Sequence, residues 1–189
     1  RLLLEKNLGL SLPDLIELAR KQFPQKDVQE KAKAEDIYAF IIDRLRAYLR
    51  DQAVAGKPFT TEEIDAVLSQ SPAQLNDLID RLTALREFNA LAEAAQLAAA
   101  NKRISNILKK NATAIPATCS SKLLQVPAEI ALYEALEKLT PTLTTAYEQR
   151  QFVDLLKALV ALSAPIDQFF ADVMVMDPNP GLRDNRLAL

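Results

Sequence analysis

The chain has 189 residues, with 23 basic and 25 acidic side chains, three glycines, one cysteine and no histidine. That length buries a sizeable core, as one large domain or two small ones. The composition excludes an internal disulfide, a His- or Cys-based metal centre, and any Ser–His or Cys–His nucleophile pair. The scarcity of glycine beside abundant Ala, Leu, Glu, Lys and Arg points to an all-α protein. No apolar run approaches the ~20 residues of a membrane span. With no signal peptide and a lone Cys119 suited to a reducing cytosol, a cytoplasmic location without a membrane partner is expected.

In chain order, residues 1–10 read as the tail of an earlier helix, and Ser11 caps a helix over "LPDLIELARKQF". "QKDVQEKAKA" at 25–34 is a charged connector. From Glu35 to Gln52 the spacing of Ile37, Phe40, Ile41, Leu45, Tyr48 and Leu49 predicts one apolar helical stripe. Thr60 or Thr61 then caps a short helix, and Ser71 with Pro72 starts another that runs to Phe88. An Ala-rich helix is predicted from Asn89 to Lys110, followed by a Ser/Thr loop over 113–127. Two helices separated or bent at Pro141, a short one over "APIDQFFADVMV" and a last one capped by Asn179 complete the chain, with no convincing strand. The chain opens on Arg1 and stops in mid-helix, as expected of a piece of a longer protein. A soft boundary divides a helical subdomain, 1–90, from a helical bundle, 91–189, taken to be truncated at its C-terminus.

Charge is distributed unevenly. Residues 1–93 hold 13 basic and 16 acidic side chains, residues 94–189 hold 10 and 9, and no carboxylate lies between Glu93 and Glu129. Inside that acid-free span sits "ANKRISNILKK". On a helical wheel Asn106 and Lys109 fall within about 40° of Lys102, with Arg103 and Lys110 just beyond and Ala100, Ile104, Ile107 and Leu108 opposite. A buried apolar face with a cationic ridge behind it fits either a solvated helix end or a surface for phosphate.

"ANKRISNILKK" at 100–110 and "FFADVMVMDPNPGLRDNRLAL" at 169–189 resemble motifs of the bacterial-type glycyl-tRNA synthetase β subunit. "DLIDRLTALREFNALAEAAQLAAANKR", "AEIALYEALEKL" and the opening "RLLLEKNLGLSLPDLIELA" extend the likeness over nearly the whole chain. The resemblance implies a DALR-type anticodon-binding fold in the second part. It further implies recognition of the anticodon arm of glycine tRNA, and an α2β2 partnership with α subunits that hold the aminoacylation site. ATP and Mg2+ would serve the whole enzyme and none of this fragment, which would itself be non-catalytic, and DNA is not an expected partner.

On that basis Lys102, Arg103, Asn106, Lys109 and Lys110 are RNA-binding candidates, the lysines for phosphate. Arg183, Asn185 and Arg186 form a second cluster, arginine suiting bidentate contacts. Phe169 and Phe170 are candidates for base stacking, although core packing is the better reading of each. Tyr133, Tyr147, Met174 and Met176 read as packing residues, and Cys119 has no partner that would make it a nucleophile. The alternative function is a protein–protein module that docks on the α subunit or another β-subunit domain through the acidic first part. An enzyme site within the chain would have no histidine, metal ligands or Gly-rich phosphate loop to stand on.

Overall fold

The computed structural model describes residues 2–23, 33–111 and 114–189, so the charged connector lies almost wholly outside the described residues. The architecture is all-α, and the chain divides into two compact units, 1–86 and 87–189.

In the first unit, α1 (Leu2–Glu5) leads to α2 (Leu12–Lys21), whose cap Ser11 accepts from the Asp14 amide at 3.3 Å. Helix α3 (Ala34–Arg50) buries Ile42, Leu45 and Leu49. Phe40 lies about 140° round the helix from Leu45. It is therefore exposed rather than part of the buried stripe, with the Arg44 guanidinium 5.2 Å from its ring centre. Next comes a two-stranded hairpin the sequence did not suggest, β1 (Ala53–Val54) paired antiparallel with β2 (Lys57–Pro58). Its turn places both Ala55 and Gly56 at positive φ, the geometry that tight hairpins require.

Helix α4 (Thr61–Leu68) opens on a reciprocal cap: Thr60 Oγ1 accepts from the Glu63 amide at 3.2 Å and Glu63 accepts from the Thr60 amide at 2.8 Å. Arg86 pairs with Glu63 at 2.7 Å and donates to the carbonyls of Lys57 and Pro58, which ties the hairpin to this cap. The hydrogen bond from Arg86 holds the Glu63 carboxyl below its usual range, against the opposing effect of burial. Changing Thr60 to Ala is expected to cost about 1 kcal/mol, read from urea denaturation of the first unit.

The helix predicted from Pro72 begins later, as α5 (Leu78–Asn89). At the start of 72–77 two carbonyls are used elsewhere, which draws the segment away from a helix at Pro72. Ala73 accepts from the Leu12 amide at 2.7 Å and Pro72 from the Tyr38 hydroxyl at 3.0 Å. Leu49, Ile64, Leu78 and Leu82 are fully buried at the centre of this unit, each contributing about 1.5–3 kcal/mol.

In the second unit α6 (Ala94–Lys110) starts five residues later than its predicted Asn89, after a break at 90–93. The Ser/Thr loop contains one 3-10 turn, Ser121–Leu123, and leads to α7 (Pro127–Glu148). This helix runs uninterrupted through Pro141. The missing proline N–H orphans the carbonyl of Glu137, an exposed residue that water can satisfy. The chain breaks instead at 149–151, where Arg150 has φ 56°, before α8 (Phe152–Leu159). Helices α9 (Ser163–Asp172) and α10 (Pro180–Ala188) follow, the latter capped by Asn179 Oδ1 accepting from the Gly181 amide at 2.9 Å.

Ala128, Leu132, Phe169 and Val173 form the core of this unit. From Val173 to Met176 the backbone alternates inward and outward without pairing as a strand. Val173 is buried and Val175 half-buried, so Met174 and Met176, expected in the core, are 61% and 53% exposed.

Candidate nucleic-acid interface

Ala-rich sequence makes α6 helical with little side-chain entropy lost, and its wheel sorts charge from hydrocarbon. Lys102, Arg103, Asn106, Lys109 and Lys110 are all exposed on it. Among the described residues none of its four cations is in an ion pair. Carboxylates of the same unit are engaged elsewhere: Asp167 with Gln96, and Glu129 and Asp177 with Arg186. Lys102, Arg103, Asn106 and Lys110 line a surface concavity of about 510 Å³, with the small Ala99 and Ile107 completing it. Lys109 is not part of that lining.

The apolar side of α6 is less deeply buried than its pattern predicts. Ile104 and Ile107 are half-buried and Leu108 reaches solvent. With Leu132, Phe169 and Leu189 they line an apolar crevice of about 80 Å³. Phe170 borders the same crevice, and the Arg103 guanidinium lies over its ring, 4.0 Å from the centre. Phe169 is buried and meets Phe170 edge-on, centroids 5.5 Å apart at 68°.

The second predicted cluster is not one cluster. Arg183 is half-buried and pairs with its neighbour Asp184 at 3.3 Å. Asn185 and Arg186 face inward, 5% and 8% exposed. Asn185 clasps the Ser120 backbone from both sides, accepting from its amide at 2.6 Å and donating to its carbonyl at 3.1 Å. Arg186 pairs with Glu129, with Asp177 at 2.6 Å, and donates to the Met174 carbonyl at 3.1 Å. Burial pushes the Glu129 carboxyl up, but the amides of Val126 and Gln125 and the Arg186 guanidinium outweigh it and hold the group below its usual range. Burial likewise works against the Arg186 charge, and Glu129 and Asp177 more than offset it. Burial also raises the nearby Cys119 thiol, against the lowering effect of its hydrogen bond with Asn185.

Sequence reasoning missed Glu129 and Asp177 as the partners of Arg186, and Ala99 within the concavity. Glu129 did carry a signal: it stands three residues after Val126 at the mouth of a Pro-initiated helix, where a carboxylate returns to the capping amides. Among the described residues no group of three His, Cys, Asp or Glu is arranged for a metal ion, and no helix is long and apolar enough to cross a membrane.

An exposed helix whose cations are unpaired among the described residues is a surface suited to phosphate contact, and residues 97–189 match the DALR anticodon binding domain. The second unit is a domain of that type. Over all 189 residues the chain is 45% identical to the glycine--tRNA ligase beta subunit of Dechloromonas aromatica and 45% identical to that of Leptothrix cholodnii, covering 26% and 25% of those proteins. It is 43% identical to the same subunit of Methylobacillus flagellatus, again over its full length and 26% of the relative. The chain belongs to the glycine--tRNA ligase beta subunit family and spans about a quarter of the length of the curated relatives it matches.

Proposed function

We propose that this chain grips the anticodon arm of glycine tRNA as part of a glycine–tRNA ligase β subunit. ATP- and Mg2+-dependent aminoacylation would then lie on the α subunit of an α2β2 assembly. The observation that carries the reading is the ridge on α6: four cations unpaired among the described residues, at helical-turn spacing, in the unit that matches an anticodon-binding domain. From Lys102 to Lys110 the ridge runs about 12 Å along the helix, long enough to meet successive phosphates of one strand. The lysines supply point charges, and Asn106 offers both a donor and an acceptor to a base edge or ribose.

Anisotropy titrations with glycine tRNA, and with the same tRNA carrying a replaced anticodon, test this. Salt-sensitive binding that favours the glycine anticodon supports it, and equal binding of the two by a folded chain removes the anticodon from the reading. A second reading has one observation in its favour, the exposed Leu10, Leu18 and Phe40 of the first unit. Such a surface suits docking on the α subunit or another β-subunit domain, and salt-insensitive association with the α subunit would favour it.

A further inference from the structure

We infer that Arg103 and Phe170 form a stacking seat for one unpaired base of the bound RNA, Arg103 touching the base and Phe170 positioning Arg103. The inference rests on the reading that the α6 ridge faces RNA. It starts from a difference among the four cations. Three are lysines, compact charges with no plane, whereas Arg103 lies over the Phe170 ring at 4.0 Å. A guanidinium stacks through both of its faces. The guanidinium carbon sits against the Phe170 ring, and Arg103 as a whole remains exposed to solvent, which leaves room for a base beside it. No hydrogen bond or ion pair to a described residue uses the in-plane N–H groups of Arg103, so they remain available to a phosphate or base edge.

The seat is braced from behind. Phe170 is half-buried and held edge-on by the buried Phe169, so little side-chain freedom remains to be lost when a base arrives. Asn106 lies three residues along the same helix face and lines the same concavity, which places an amide beside the stacked base. Splayed, single-stranded bases are the RNA feature that aromatic and guanidinium planes take, so the ligand is an unstacked loop nucleotide rather than duplex.

Lysine substitution separates plane from charge. With glycine tRNA as the probe, R103K is expected to bind about ten-fold more weakly, with the salt slope unchanged because the charge is kept. F170L is expected to weaken binding similarly, F170Y to bind as the unaltered chain, and R103K/F170L to be no weaker than either single variant. R103K binding like the unaltered chain overturns the seat, as does a silent F170L. If the lysine variants flatten the salt slope while R103K is silent, the ridge stands and the seat alone is lost. An unaltered chain that binds no tRNA removes both.

Discussion

Changing Lys102, Lys109 and Lys110 together to alanine is expected to flatten the salt dependence of glycine-tRNA binding by a slope of about 2–3 on logarithmic axes. Each phosphate neutralised releases about 0.7–0.9 of a counterion, so three lost contacts remove that much of the slope. Between about 50 and about 200 mM salt the unaltered chain should then lose about 20- to 40-fold more affinity than the variant. All three side chains are exposed and unpaired among the described residues, so their removal should leave stability within about 0.5 kcal/mol. Anisotropy titrations across a salt series read the slopes directly. Parallel lines for the two proteins would show that the lysines are an ordinary solvated face.

Replacing Arg186 with methionine is expected to destabilise the second unit by about 3–5 kcal/mol. Methionine fills much of the volume, but it strands Glu129, which is 1% exposed, with only the amides of Val126 and Gln125 as partners. Hydrogen exchange on peptides from 120–189 isolates this unit from the first. Protection as strong as in the unaltered chain would mean that Glu129 needs no counter-charge. Adding Glu129→Gln to the variant should recover part of the loss, since the stranded charge is then gone.

A pH dependence accompanies this. The folded-state pKa of Glu129 lies below its unfolded value of about 4.3. Its contribution is therefore complete above the unfolded pKa and is lost as pH falls towards the lowered folded value. Protection of the second unit should decline below about pH 5, and the decline should be shallower in Arg186→Met.

What the sequence made legible follows from how local each determinant is. The caps at Ser11, Thr60 and Asn179 were readable because a cap bonds amides two or three residues away, as all three do here. The charged face of α6 was readable because 3.6-residue periodicity places it without reference to any neighbour. Pro141 does not separate two helices because its cost depends on whether water reaches one carbonyl, which is a property of the packed surface. The start at Pro72 misled because the carbonyls of Pro72 and Ala73 answer to Tyr38 and Leu12, far away in sequence. Asn185 and Arg186 looked like surface polar residues for the same reason: their partners, Ser120 and Glu129, lie 65 and 57 positions earlier. Phe170 read as a packing residue, and it lies half-buried under an arginine that the wheel assigned to the ridge.

Those same separations bear on how the chain is made. Synthesis runs from the N-terminus, and the first unit closes its hairpin and cap through the Arg86–Glu63 pair once α5 has emerged. It can mature while the rest is still being translated. The second unit has no such freedom. Glu129 leaves the ribosome 57 residues ahead of the arginine that neutralises it, and Ser120 waits 65 residues for its clasp. Until α10 emerges, α7 carries Glu129 without the guanidinium that neutralises it in the folded unit.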